Sequence, residues 1–316
     1  MTQPLVSIFA LTYNHENFIA EFIESVLSQT YKNWELIISD DFSKDKTPKI
    51  LKIYQAKYPN KIKILLNKKN IGITNNTIQA ISKCKGKYIC GAGGDDIFLP
   101  QKIEKQVRVL ENNPSCNICY HDLEVLYDGY SINFSRINQH TPPRGSLKDL
   151  IKYGSFMGAC SVMFRRECLP PYIVDKRITI ASDWLLFAEV LKGGIFLYID
   201  EVLGKYRKHN NNITSTRTIE CINDHILSCG ILLSKYPQYA KEIRYRLSQI
   251  LIEKYIYKKR MKDSTAANDL LGSMFFNLNI KNILLYLCDK LNIDITLLDK
   301  IKNTTLKLSL KKVKEK

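Results

Sequence analysis

Two short, nearly unbroken apolar runs, Leu5-Val6-Ser7-Ile8-Phe9-Ala10-Leu11 and Trp34-Glu35-Leu36-Ile37-Ile38-Ser39, each end in a cluster of polar residues. A strand that is apolar on both faces has to be covered on both sides, which is the situation of a central parallel strand. Between the runs, Phe18, Ile19, Phe22, Ile23, Val26 and Leu27 recur at helical spacing. Strand, helix and strand in this order predict a right-handed βαβ unit. Thr12-Tyr13-Asn14 and Asp40-Asp41 then fall on one sheet edge, the carboxyl end, where open α/β sheets bind ligands.

The alternation continues with a helix from about Pro48 to Lys57, a strand at Ile62–Leu66, and a turn at Asn70-Ile71-Gly72 leading into a helix through Ala80. Lys87-Tyr88-Ile89-Cys90-Gly91-Ala92-Gly93-Gly94-Asp95-Asp96 reads as a further buried strand that delivers two carboxylates to the same edge. Adjacent carboxylates repel unless a cation or hydrogen-bond donors compensate, and a hard divalent ion bridging to phosphate does so. The same residues also suit a Gly-Gly-Asp-Asp turn, with Asp96 near an N-cap and Pro100 in the first turn of the next helix.

Ile103, Val107 and Leu110 share a helix face, and a strand begins at Ile118-Cys119-Tyr120. Patterning weakens from about Tyr127 to Gly145, predicting a loop with a lid or acceptor-binding role. A strand is expected over Gly158–Phe164 and another over Ile195–Ile199. Ser182-Asp183 would cap a helix from Trp184 to Lys192, and the polar run Tyr206–Thr214 follows. Beyond this the strand signals stop. The expected organisation is an α/β domain over 1–215, with a mostly parallel Rossmann-like sheet and flanking helices, then a helical region over 216–316.

Lys and Arg number 47 against 31 Asp and Glu, a formal charge of +16, and this favours anionic partners such as nucleotides, phospholipid or nucleic acid. No helix-turn-helix, zinc or RNA-binding signature accompanies the charge, so nucleic acid is not the expected partner. The nine cysteines lack the even spacing of a disulfide framework, and Cys116-x-x-Cys119 has no second pair to complete a zinc site. With neither a leader-like N-terminus nor an apolar run of spanning length, a cytoplasmic protein is expected. The tail from Lys302 to Lys316 alternates Lys with Leu and Val, which suits peripheral contact with an anionic inner membrane face or a solvated basic end.

Four blocks resemble, in order, the bacterial inverting nucleotide-sugar glycosyltransferases of the GT-A fold, the glycosyltransferase family 2-like enzymes. They are Val6-Ser7-Ile8 to Thr12-Tyr13-Asn14, Asp40-Asp41-x-Ser43-x-Asp45-x-Thr47, Gly94-Asp95-Asp96 with Lys102 to Gln106, and Ser182-Asp183-Trp184 with Tyr206-Arg207-x-His209-x-x-Asn212-x-Thr214. The resemblance covers about the first two-thirds of the chain. It implies that Thr12, Tyr13, Asn14 and Asp40 hold the nucleotide, with Asp40 facing the base. Asp95 would match the last acid of an Asp-x-Asp motif and bind Mn2+ or Mg2+ on the diphosphate, with Asp96 beside it. The leading acid of that motif is replaced by Gly93.

Asp183 would match the catalytic base, although Ser182-Asp183 also reads as a plain helix start. His209 is open between a diphosphate or metal contact and a polar loop residue. Arg207 is open between helping the leaving group and pairing with an acid, and Arg165 and Arg166 are expected on the surface or acceptor side. The implied donor is a nucleotide sugar, UDP-linked by expectation, and the implied acceptor is a hydroxyl of a cell-surface glycan or a lipid-linked glycan. The rival readings are a catalytically inactive relative acting as an assembly partner and, from the charge alone, a basic nucleic-acid-binding protein.

Overall fold

The computed structural model describes residues 3–127, 130–134, 143–210 and 212–290. The chain falls into two units, Met1–Lys235 and Tyr236–Lys316. The first is built on a ten-stranded sheet: β1 (Val6–Thr12), β2 (Trp34–Asp40), β3 (Ile62–Leu66), β4 (Tyr88–Gly93), β5 (Ile97–Phe98), β6 (Cys116–Tyr127), β7 (Tyr130–Phe134), β8 (Arg144–Gly145), β9 (Met163–Arg165) and β10 (Ile195–Lys208). Its helices are α1 (Ile19–Leu27), α2 (Thr47–Lys57), α3 (Ile73–Ile81), α4 (Lys102–Asn112), α5 (Leu147–Tyr153), α6 (Asp183–Val190), the short α7 (Ile213–Thr216) and α8 (Thr218–Lys235). The sequence reading placed α8 with the C-terminal helices; it lies in the first unit.

The order β3-β2-β1-β4-β9-β6-β10-β5 is parallel over its first four strands, as the apolar runs require. Register aligns Thr12 with Asp40 and Leu11 with Gly93, so β1, β2 and β4 end together. Ile19, Phe22, Ile23 and Val26 of α1 are fully buried, and Phe22 meets Phe98 edge to face at 5.8 Å. Each such side chain stabilises the fold by about 1.5–3 kcal/mol, and this packing fixes the sheet edge against α1.

Four local expectations change. The segment expected as a strand over Gly158–Phe164 first makes a 3-10 turn at Ala159–Ser161, where the Ser161 hydroxyl donates to Gly158 O; only Met163–Arg165 is strand, antiparallel to both β4 and β6. The weakly patterned stretch contains a hairpin, because β6 continues to Tyr127 and β7 returns along it; residues 135–142 lie outside the described ones. Ile195–Ile199 and Tyr206–Arg207 belong to one long strand, β10, whose register against β6 shifts around Val202. Pro100 precedes α4 instead of opening it, since Gln101 is the N-cap.

The second unit contains α9 (Ala240–Arg260), α10 (Ala266–Phe276) and α11 (Ile280–Lys290). Ile252, Tyr255, Ala266, Leu270 and Leu285 form its apolar centre, and the Asn282 amide donates to the hydroxyls of Ser248 and Ser273 inside it. No described helix is long and apolar enough to cross a membrane. The basic tail, Lys302 to Lys316, lies outside the described residues.

Candidate active site

The loops that leave β1 and β2 are stitched together at the carboxyl edge of the sheet. The Asn14 amide donates to Ser43 Oγ at 2.8 Å, the Lys44 amide to Asn14 Oδ1 at 2.8 Å, the His15 amide to Thr47 Oγ1 at 2.9 Å and the Glu16 amide to Asp45 Oδ2 at 2.9 Å. Asn14 has φ of 55°, left-handed backbone that Asn tolerates better than most residues. The motif residues Ser43, Asp45 and Thr47 are therefore buttresses for the first loop. Thr12 is buried with its hydroxyl unpaired, and Tyr13 is 47% exposed beside it.

Asp40 and Asp41 are adjacent but do different work. Asp41 Oδ1 accepts the Ile71 amide at 2.8 Å and Asp41 Oδ2 the Gly72 amide at 3.0 Å, which ties it to the turn before α3. Among the described residues the Asp40 carboxylate accepts only from Ser43, through its amide at 3.0 Å and its hydroxyl. Burial pushes the Asp40 carboxyl up and the Ser43 hydrogen bonds oppose that.

At the end of β4 the two carboxylates also diverge. Asp96 turns inward: Oδ2 accepts the Gly93 amide at 2.8 Å, and burial followed by the Asp95 charge pushes its pKa well up against that hydrogen bond. Asp95 faces the end of β10. His209 Nε2 lies 3.0 Å from Asp95 Oδ2, and Asn212 Nδ2 donates to the same oxygen at 3.3 Å. Arg207 Nε donates to Asp95 O at 3.0 Å, Nη2 pairs with Glu21 at 2.5 Å, and the guanidinium sits over the Phe18 ring. Arg207 thus pairs with an acid and braces the Asp95 turn.

A third group enters that sequence reasoning missed. His15, Asp95 and His209 each offer a ligand atom, all within 4.8 Å of one another. His15 Nδ1 is buried with no hydrogen-bond partner, and burial pushes the imidazole pKa down, towards the neutral form that ligates metals. The donor set of two imidazoles and one carboxylate fits a divalent metal ion, and the orphaned nitrogen points to one. In sequence, Asn14-His15-Glu16 reads only as a polar loop; the one available signal is that it leaves the first strand at the ligand-binding edge.

Asp183 is the first residue of α6 and is half-buried; its Oδ1 accepts the Trp184 amide at 2.8 Å. Of the Ser182-Asp183 pair expected to cap this helix, the Ser182 side chain makes no capping bond and Asp183 satisfies the helix start. The loop before it is held by Asp224 of α8, whose Oδ2 accepts the amides of Thr179, Ile180 and Ala181 at 3.1, 2.7 and 3.2 Å. Arg165 is buried, donating to the carbonyls of Cys116, Leu110 and Asn113, and so is a structural residue and not the surface charge expected; Arg166 donates to Gly86 O.

The sequence model of Glycosyl transferase family 2 matches residues 7–169. A Bacillus subtilis protein named as glycosyltransferase EpsE is 32% identical over 271 residues, 82% of this chain and 95% of its own length. An uncharacterized protein of Mycobacterium tuberculosis is 32% identical over 215 residues, 66% of this chain; the match spans 60% of that relative's length. Among solved structures, S. aureus TarS 1–349 superposes with a TM-score of 0.65 at 15% identity, covering 86% of this chain and 80% of its own, a likeness of fold. TarS has also been solved in complex with UDP-GlcNAc.

Proposed function

From the premise that the chain belongs to Glycosyl transferase family 2, we propose that it is a metal-dependent inverting glycosyltransferase. It would move a sugar from a nucleotide donor, UDP-linked by preference, to a hydroxyl of a cell-surface or lipid-linked glycan. The observation that carries the reading is the meeting of Asp95 with His209 at 3.0 Å at the strand edge where β1, β2 and β4 end. Aligned strand ends of this kind are where α/β sheets take nucleotides.

In this reading Asp40, the acid that Asp41 frees from structural duty, accepts from the nucleotide base, and the loop Thr12-Tyr13-Asn14 lies along it. Asp95 and His209 would hold a divalent ion, Mn2+ or Mg2+, which would neutralise charge on the departing diphosphate. Asp96, through the Gly93 amide, and Arg207, through the Asp95 carbonyl, keep the Asp95 turn in place. Asp183 takes the proton of the acceptor hydroxyl. As the acceptor oxygen bonds to the anomeric carbon, the bond from that carbon to the phosphate oxygen breaks, its electron pair leaves with the nucleoside diphosphate, and configuration inverts. We assign nucleotide and base to the α/β part, 1–215; the helical region, 216–316, opens with α8, whose Asp224 holds the loop before Asp183.

Incubation of the purified chain with a panel of UDP- and GDP-sugars and Mn2+, read by thermal shift and by nucleoside diphosphate release, tests it. A donor that binds only the folded state raises its melting temperature. Stabilisation by one nucleotide sugar with release of its diphosphate is expected, and no response from any donor would overturn the reading. An inactive assembly partner would bind without release.

A further inference from the structure

We propose that His15 is the third protein ligand of the metal site, standing in for the side chain that Gly93 lacks, and that the resulting set of two imidazoles and one carboxylate selects Mn2+ over Mg2+. The proposal deepens the metal-dependent reading above and rests on it.

The geometry begins with how His15 is held. Its amide donates to Thr47 Oγ1, and its carbonyl accepts the amides of Phe18 and Ile19, both at 2.9 Å, at the start of α1. The backbone is thus pinned from both sides, and the ring packs edge-on to Phe18 and to His209, with centroids 6.2 and 6.3 Å apart. A pinned imidazole whose Nδ1 is buried and unpaired, with its ligating nitrogen within 4.8 Å of the donor atoms of Asp95 and His209, is a preformed donor.

Position 93 cannot supply that donor in this arrangement. A Cβ built there would overlap Asp95 Oδ1, so a side chain at 93 and the present orientation of Asp95 exclude each other. Position 94 is also kept bare: a Cβ on Gly94 would lie 2.9 Å from Ile19 Cδ1 and 3.1 Å from His15 Nδ1. Glycines at 93 and 94 therefore leave space that Asp95 and His15 use. The three donors come from the ends of β1, β4 and β10, and their convergence depends on the sheet, not on local sequence.

Donor chemistry then sets the ion. Mg2+ takes oxygen ligands almost entirely and gives up water reluctantly, whereas first-row transition ions accept imidazole nitrogen. Two of the three protein donors here are nitrogen. Although Mn2+ is the weakest binder of the transition series and favours oxygen, it tolerates imidazole better than Mg2+ does and keeps the affinity for phosphate oxygens that a nucleotide diphosphate requires.

The test is direct metal binding by the metal-stripped full chain, without turnover, with and without UDP. Mn2+ titration is followed by electron paramagnetic resonance, and nitrogen modulation of the bound-Mn2+ signal reports imidazole coordination. Wild type should bind Mn2+ at least about tenfold more tightly than Mg2+. His15→Ala should weaken Mn2+ binding by about tenfold or more, the scale seen when a metal site loses even a supporting group, and reduce the nitrogen modulation. His15→Asp, which exchanges nitrogen for oxygen, should shift preference towards Mg2+, an effect that simple loss of structure does not produce. Metal-free melting curves of each variant identify any folding defect. If Asp95→Ala abolishes binding while His15→Ala leaves affinity and modulation unchanged, the His15 inference is overturned and the metal reading stands. If wild type binds neither ion with or without UDP, the metal reading itself fails.

Discussion

Asp224 Oδ2, on α8, accepts the Ile180 amide at 2.7 Å, and the same oxygen takes the neighbouring amides of Thr179 and Ala181. One buried carboxylate thereby fixes the three residues that lead into Ser182 and Asp183. Hydrogen bonds to a charged group contribute about 1.5–3 kcal/mol. Asp224→Ala should destabilise the fold by at least about 1.5 kcal/mol and lower kcat while leaving the KM for donor near its wild-type value. Asp224→Asn, which keeps one acceptor oxygen, should recover much of kcat. A loss that appears in donor KM alone would show that Asp224 does not act through the Asp183 loop.

The proposed base makes a sharper claim. A sugar hydroxyl is not ionised at neutral pH, so its proton has to be taken as the new bond forms, and a positioned base contributes about 10²- to 10⁴-fold. Asp183→Asn still offers an oxygen to the Trp184 amide, so α6 should start as before. Donor affinity should hold while kcat falls by that factor. Near-normal transfer to the true acceptor would move the role elsewhere. Glu189, which pairs with Lys235 at 2.9 Å, and Asp122, which accepts the Tyr198 hydroxyl, would then be the next acids to test.

Adding the missing acid should not help. Because a Cβ at position 93 overlaps Asp95 Oδ1, Gly93→Asp should displace the ligand it was meant to assist. Metal affinity, measured by titration in the presence of UDP, should fall for Gly93→Asp and fall further for Asp95→Asn. Chelation of divalent ions should abolish turnover in wild type and re-addition of Mn2+ should restore it; full activity in excess chelator would remove the metal from the mechanism.

What was legible in the sequence divides along physical lines. Continuous apolar runs in Val6–Leu11 and Trp34–Ser39 report strands buried on both faces, and the polar residues after them report the sheet edge where Asp40 stands; the run before Gly93 brings Asp95 to the end of β4 in the same way. The register shifts of β10 against β6 and the insertion of β9 between β4 and β6 are set by non-local pairing, which no local period encodes. His15 and Asp224 escaped for a related reason. Each acts on groups remote in the chain, and nothing in Asn14-His15-Glu16 or in an Asp on an amphipathic helix announces its partner. Arg165 was misplaced because charge suggests surface, whereas three backbone carbonyls receive its guanidinium inside the unit.

The buried thiols give a pH prediction. Burial pushes Cys90 up to about 11, an effect that the Lys102 charge opposes. A thiol with a raised folded pKa contributes stability that is fully present below its unfolded value near 8.5 and is lost as pH rises towards the folded value. Urea midpoints should therefore fall between about pH 8.5 and pH 10.5, and Cys90→Ala should flatten that slope. Below pH 8.5 the thiol-reactive titre of the native protein should come first from Cys168 and Cys221, the half-exposed cysteines among those described. Rapid modification of Cys90 in the native state would contradict its burial.

The pair Asp40-Asp41 allows the nucleotide assignment to be tested apart from stability. Asp41 accepts the amides of Ile71 and Gly72 and the Asn67 side chain, so its carboxylate closes the turn before α3. Removing that charge leaves these half-buried amides poorly satisfied, at a cost of up to about 1–3 kcal/mol. Asp40 is as deeply buried, but among the described residues its carboxylate accepts only from Ser43, three residues away, and its loss disturbs little beyond the loop. Asp41→Ala should lower the melting temperature with UDP affinity reduced only as far as the fold is lost. Asp40→Ala should do the opposite, keeping the melting temperature within a few degrees while UDP binding, read by calorimetry, weakens about tenfold or more for a lost charge-assisted hydrogen bond of at least about 1.5 kcal/mol. Equal affinities for UDP in wild type and Asp40→Ala would place the nucleotide base elsewhere along the edge, with the unpaired Thr12 hydroxyl the next group to examine.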